Sequence, residues 1–233
     1  MALNRKEQIT IDAFRSFLAR NGIFVCLMFF FAIWQPVCSQ EVITCGEHLF
    51  ISQPIPAEIQ ERMIGNSMPN DIPVPFEALR YLVIPYYDYD GQIQIGEMVC
   101  NKDIAKDVLV IFRDLFVARY QINSIRLVDD FDGSDDLSMM ANNTSCFNYR
   151  TLKGTRRLSK HASGLAIDLN PLQNPYVRGS RVMPPAAKDC VDRNKAFPHM
   201  IDKKDFAYQL FRSHDFVWGG SWMGKDYQHF EKR

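Results

Sequence analysis

The chain carries no excess of either charge: 27 lysines and arginines stand against 27 aspartates and glutamates. A nucleic-acid partner, which a basic surplus would favour, is therefore not expected. Internal repeats and low-complexity segments are missing too, so the 233 residues read as one globular domain with a sizeable core and no room for a second large one. No apolar run is long enough to cross a bilayer comfortably, which takes about 20 residues. Ile23 to Trp34, twelve residues without a polar side chain, instead suits the apolar region of a signal peptide.

That run sets the expected organisation. Arg5, Lys6, Arg15 and Arg20 precede it, and Val37-Cys38-Ser39 offers a cleavage site ahead of Gln40. Residues 1–39 are read as a signal peptide or an uncleaved anchor, 40–75 as an N-terminal strap, and 76–233 as the functional domain. The leader is long for a signal peptide, which suggests a translation start further downstream. A lipoprotein anchored through Cys38 is disfavoured, because Gln35-Pro36-Val37 lacks the usual small residue before the cysteine. The protein is expected to be exported, to the periplasm or beyond, with membrane contact only if the leader stays attached. Loss of residues 1–39 removes four basic and two acidic side chains and leaves 23 against 25. Four cysteines remain: Cys45, Cys100, Cys146 and Cys190. One or two disulfides or buried free thiols are both open, and the pairing is not legible.

The chemistry concentrates in Ser159-Lys160-His161-Ala162-Ser163-Gly164-Leu165-Ala166-Ile167-Asp168-Leu169-Asn170. From Gly164 on, the pattern alternates as a strand does. Gly164, Ala166 and Asp168 fall on one face, with room beside the backbone for a metal, and Leu165, Ile167 and Leu169 on the other as core. Zinc accepts imidazole and carboxylate together but needs a third protein ligand and an open fourth position to be catalytic. His229, near the C-terminus, completes a His161/Asp168/His229 set. Asp226, three residues earlier, is placed to act as a base toward the attacking water.

Ser-x-His-x-x-Gly-x-Ala-x-Asp followed late by Asp-x-x-His resembles the M15 metallopeptidases, the D-alanyl-D-alanine carboxypeptidase and L-alanyl-D-glutamate endopeptidase group. The likeness runs through Asn142 to Arg150 and Asn170 to Tyr176 and covers roughly residues 60 to 233. It implies an α+β fold, an antiparallel sheet flanked by helices as in the hedgehog and DD-peptidase domains. It also implies a monomer holding one zinc ion and cutting peptidoglycan stem peptides. Where the family has a Glu, this chain has the shorter Asp226, which resembles the endopeptidase subgroup. Arg150 is the candidate for a substrate carboxylate or oxyanion, ahead of Arg126, whose plainer reading is a surface ion pair. Ser159 and Trp218 are candidate substrate contacts, and Trp222 a further aromatic neighbour. A serine nucleophile would leave a Ser-x-x-Lys tetrad, and none occurs. The alternative from another class is an inactive, zinc-stabilised module that binds peptidoglycan without turnover. Asp226 with Arg150 argues against it, since a structural zinc site needs neither a base nor an open position.

Elsewhere, Leu79 to Tyr89 and Gln92 to Val99 read as a hairpin turning at Asp90-Gly91. Lys102 to Tyr120 reads as a helix capped by Asn101, and Lys203 to Ser213 as a second capped by Asp202. Ile122 to Asp129, Cys146 to Arg150, Phe216 to Trp218 and Tyr227 to Glu231 read as strands. Cys146 to Arg150 is expected to lie antiparallel to the Asp168 strand. The acidic stretch Asp129 to Asp136 lacks the glycine and glutamate spacing of a calcium loop and is read as a solvated turn. The nearly thirty residues after Asn170 are expected to cover the site.

Overall fold

The computed structural model describes residues 40–233; the leader assigned to residues 1–39 lies outside them. The fold is α+β. Strands β1 (Glu41–Cys45) and β2 (His48–Gln53) open the chain, helix α1 (Ala57–Met63) follows, and β3 (Leu79–Tyr87) and β4 (Ile93–Asn101) form the expected hairpin. These strands make one antiparallel sheet in the order β1-β2-β3-β4. Residues 41–53 are thus part of the main sheet and not a strap. The overlooked signal is Gly46, which takes φ 59° at the turn between two short alternating runs.

β3 is apolar almost throughout because both of its faces are buried. Period-two alternation sends Leu82, Ile84 and Tyr86 into one hydrophobic cluster and Leu79, Tyr81 and Val83 into another. Helix α2 (Ala105–Val117) lies against the first cluster with Val108, Ile111, Phe112, Leu115 and Phe116, all buried. It starts later than the sequence suggested, because Asn101 Oδ1 accepts from Asp103 N in a local turn and does not cap the helix.

Beyond α2 the regular pieces are short. β5 (Ser124–Ile125) pairs in parallel with β6 (Asn143–Thr144), with helix α3 (Asp135–Met140) between them. Only two residues of the predicted 122–129 strand find a partner; Val128 to Phe131 coil into a 3-10 turn. The acidic stretch is not a solvated turn either. Asp129 accepts from Ser67, Asp130 pairs with Arg62 and Arg126, Asp135 with Arg150, and Asp136 with Lys153. Arg126 is therefore engaged at an ion pair, as its plainer reading held.

β7 (Ala166–Asp168) is the inner strand of the site. After it come β8 (Tyr176–Arg178) and β9 (Arg181–Met183), helix α4 (Phe206–Ser213), β10 (Val217–Trp218), β11 (Lys225–Asp226) and β12 (His229–Glu231). Two three-stranded sheets result, β10-β12-β7 and β11-β8-β9. Asp205, not Asp202, caps α4 by accepting from Ala207 N and Tyr208 N. Phe211 of α4 stacks on Phe230 of β12 at 4.3 Å between ring centroids, which ties the second sheet to the first cluster. Cys45, Cys100, Cys146 and Cys190 are free thiols, and Cys100 and Cys146 are buried.

Gly164 takes φ 65° where the 3-10 turn Lys160–Ser163 ends, and a Cβ there would lie 2.6 Å from Asn101 N. The glycine is thus needed for the backbone crossing onto β4, where Asn101 N donates to Gly164 O, and not as open space for a metal. Gly164→Ala combines a disfavoured φ with a backbone clash. It is expected to lower unfolding stability by about 1–3 kcal/mol, read as a reduced urea midpoint; an unchanged midpoint would contradict this role.

Candidate active site

The site is built on one register. β12 lies antiparallel to β7 with His229 opposite Asp168 and Phe230 opposite Ile167. Alternation turns the Phe230/Ile167 pair into the core and the His229/Asp168 pair to the other face. His229 Nδ1 sits 2.9 Å from Asp168 Oδ1. His161, at the 3-10 turn just before β7, brings its Nε2 to 3.2 Å from Asp168 Oδ2 and 3.2 Å from His229 Nδ1. One ligand atom from each of the three lies within 4.8 Å of the others, and all three residues are buried. The predicted trio is brought together.

Both imidazoles are oriented from behind. His161 Nδ1 donates to the Cys146 carbonyl at 2.6 Å, leaving Nε2 free to face the cluster. His229 Nε2 donates to Glu231 at 3.2 Å, leaving Nδ1 to face it. Outer acceptors of this kind fix the tautomer and raise the basicity of a metal-ligating histidine. The sequence reading passed over Glu231, although its place two residues after His229 on one strand puts it on the same face. The Cys146 carbonyl is positioned because Ser145 and Asp168 exchange backbone hydrogen bonds, at 3.1 and 2.9 Å. The strand expected over Cys146 to Arg150 does not form; the antiparallel contact with β7 is a single bridge one residue earlier, at Ser145.

Electrostatics follow from that burial. Loss of water works to raise the Asp168 carboxyl, yet the two imidazoles beside it hold it well below the usual carboxylate range. Burial pulls His229 down, but its hydrogen bonds to Asp168 and Glu231 outweigh it and push the imidazole up to about 10. The Asp226 carboxyl is pushed up to about 6, chiefly by burial, with Asp168 adding and the two histidines opposing. Its Oδ1 is buried without a hydrogen-bond partner. A buried, unpartnered carboxylate oxygen beside three convergent donors fits a site that takes a cation and a water. The donor set, two imidazoles and one carboxylate, suits zinc with a position to spare.

Asp226 is held in place by glycine. A Cβ at Gly219 would lie 2.7 Å from Asp226 O and 2.8 Å from its Cβ, and one at Gly220 would lie 2.2 Å from the Trp218 ring. The Trp-Gly-Gly-Ser-Trp stretch is therefore a close backbone approach that seats β11 against the turn. Trp218 itself is 5 % exposed, belongs to the core and donates its indole N–H to Tyr227 O at 2.8 Å. The aromatic beside the cluster is Trp222, whose ring centroid is 5.4 Å from that of His229.

Ser159 is buried and its hydroxyl accepts from His161 N at 3.2 Å. It shapes the turn that carries His161 and is not free to meet a substrate. Arg150 donates to Asp135 at 2.9 Å, while its Nε is buried and unpartnered. The Arg150 carbonyl accepts from Ser159 N, which sets this arginine two residues from His161 across a backbone pairing. Asp135, raised by burial and lowered by Arg150, feels Asp168 and His161 as well. The segment after Asn170 is anchored. Arg193 donates to Gln173 O, Asn174 Oδ1 and Ile201 O and lies over the Tyr227 ring at 4.3 Å. Its β8–β9 hairpin pairs directly with β11, Tyr176 opposite Asp226.

A buried His/Asp/His cluster with a neighbouring carboxylate could hold a metal ion and a water, and the sequence comparison adds a family to that geometry. Residues 153–232 match the M15 peptidase family model described as D-alanyl-D-alanine carboxypeptidase, a span that contains His161, Asp168, Asp226 and His229 but not Arg150. The match supports a hydrolase of peptide bonds. No curated protein and no solved structure matches the chain. Among the described residues no helix is long and apolar enough to cross a membrane.

Protonated His229 bridges Asp168 and Glu231 in the metal-free protein, and its pKa lies above the ordinary 6.5. The stability it contributes is fully present below about 6.5 and is lost as pH rises toward 10. Denaturation midpoints of the metal-free protein should fall over that window, and His229→Gln should flatten the fall. A variant with the parent's pH dependence would contradict the assignment.

Proposed function

We propose that the chain is a zinc-dependent peptidase acting on peptidoglycan stem peptides. The observation that carries this reading is the cross-strand His229/Asp168 pair joined by His161, with each imidazole held by a rear acceptor and the orphaned Asp226 oxygen alongside. His161 Nε2, His229 Nδ1 and the Asp168 carboxylate would hold one zinc ion. Zinc, when bound, supplies a Lewis acid that makes water a nucleophile near neutral pH.

Asp226 takes the proton of the attacking water on Oδ1 and returns it to the leaving amine. A carboxyl at about 6 is matched to both halves of that task near neutral pH, where an ordinary aspartate near 3.9 would be a poor donor. Arg150, with Nη2 spent on Asp135, keeps its remaining guanidinium donors for a substrate oxygen. Glu231 and the Cys146 carbonyl keep both imidazoles in the ligating tautomer through the cycle. Trp222 walls the cluster beside His229.

The family description favours release of a terminal D-alanine over cleavage of the L-alanyl-D-glutamate bond that the shorter Asp226 first suggested. On this reading the protein works outside the cytoplasm as a monomer with one zinc ion, tethered to a membrane only if residues 1–39 remain attached.

Mass spectrometry of muropeptides incubated with the zinc-loaded protein tests the activity. Loss of one alanine marks a carboxypeptidase, and release of a peptide beginning with D-glutamate marks an endopeptidase. A folded, zinc-loaded protein that makes no product would instead be a binding module. His161→Ala is expected to lose zinc and activity together. Asp226→Asn should keep zinc and lose turnover by about 10²–10⁴-fold; zinc lost along with turnover would make Asp226 a ligand. Glu231→Gln should weaken zinc affinity by about 10–100-fold in a chelator competition, and an unchanged affinity would remove its orienting role.

A further inference from the structure

The β11-β8-β9 sheet presents two rows of side chains on the face that carries Asp226. The first row runs Asp226, Tyr176, Met183 across the three strands. Two residues along, the same face carries Arg178 directly opposite Arg181, and the pairing extended by one residue sets Gly224 beside Arg178. A Cβ at Gly224 would lie 3.5 Å from the Tyr176 hydroxyl and 3.6 Å from Arg178 Cδ. The arginine stem therefore passes within van der Waals reach of position 224, alongside the Tyr176 hydroxyl.

Like charges directly opposite across a strand pair repel. Among the described residues neither Arg178 nor Arg181 makes an ion pair, and both are exposed. The two-residue connection Gly179-Ser180, with Gly179 at φ 58°, holds the pair at the hairpin tip. Two guanidinium groups so placed carry two uncompensated positive charges on one face of the hairpin. They start about 7 Å along the sheet from the row of Asp226, at a strand rise of about 3.3 Å per residue. That is the span of one to two residues of an extended peptide.

We propose that Arg178 and Arg181 are specificity-determining residues that bind a free carboxylate of the peptide one or two residues from the bond that is cut. This rests on the peptidase reading of the site. A carboxylate takes a guanidinium in two parallel hydrogen bonds, and two facing arginines neutralise each other's repulsion when one anion lies between them. The chemistry has two sources in a stem peptide, the C-terminal carboxylate and the α-carboxylate of a γ-linked glutamate.

The test uses three peptides: the stem pentapeptide as free acid, its C-terminal amide, and the free acid with isoglutamine in place of glutamate. Wild type is compared with the double variant Arg178→Gln, Arg181→Gln, with zinc content and melting temperature confirming the fold. The variant is expected to lose about tenfold or more in kcat/KM on the free acid, a charge-assisted hydrogen bond's worth, through KM with kcat held. One of the two amidated peptides should already show that loss with wild type and be indifferent to the variant, which identifies the carboxylate. An equal effect of the variant on all three peptides, or none on any, overturns the inference. Calorimetric titration of the same peptides into Asp226→Asn, with and without the arginine changes, separates the two readings. Arginine- and carboxylate-dependent binding without wild-type turnover sinks the peptidase and keeps the subsite. Turnover without that dependence does the reverse.

Discussion

The antiparallel pairing of β12 with β7 is the constraint on which the rest depends. Because His229 is opposite Asp168, the same ladder that buries Phe230 and Ile167 in the core delivers an imidazole and a carboxylate to one point on the other face. A slip of one residue would reverse both faces at once, so the core fixes the register of the site. The stacking of Phe211 on Phe230 is thus part of the site's geometry even though it touches none of its atoms.

Around that pair the molecule spends buried polar groups in a consistent way. Asp168 and His229 are nearly inaccessible, and removing them from water is repaid by mutual hydrogen bonds and by Glu231. Among the described residues, the one buried carboxylate oxygen left without a partner belongs to Asp226, the residue whose proposed chemistry needs a free lone pair. Around it, the glycines at 219 and 220 bring the turn close, and the anchored β8–β9 hairpin supplies the opposite wall. The segment that carries this hairpin is ordered by Arg193 and Asn174, so the wall is part of the scaffold.

Much of this was legible in the residues. The Leu165/Ile167/Leu169 core face, the β3–β4 hairpin and the apolar face of α2 follow from spacing and alternation, while the His161, Asp168 and His229 trio was legible through its resemblance to the M15 motif. What was not legible depends on partners distant in the chain. Gly164 was taken for open space, and only the crossing onto Asn101 reveals its purpose. Trp218 and Trp222 have similar local surroundings in sequence, but the former's indole is directed to Tyr227 O in the core and the latter lies by His229. The acidic stretch Asp129–Asp136 looked solvated because its neutralising partners, Arg62, Arg126, Arg150 and Lys153, come from other parts of the chain. The 41–53 hairpin was missed because two short half-exposed strands separated by one Gly-containing turn carry little apolar signal.

The central claim is that these three side chains hold one zinc ion through two imidazole nitrogens and a carboxylate. X-ray absorption at the zinc edge of the loaded protein measures this directly. The account predicts nitrogen and oxygen scatterers at about 2.0–2.2 Å with two imidazole signatures and no sulfur. A sulfur shell near 2.3 Å, or a sixfold oxygen shell without imidazole, would contradict it.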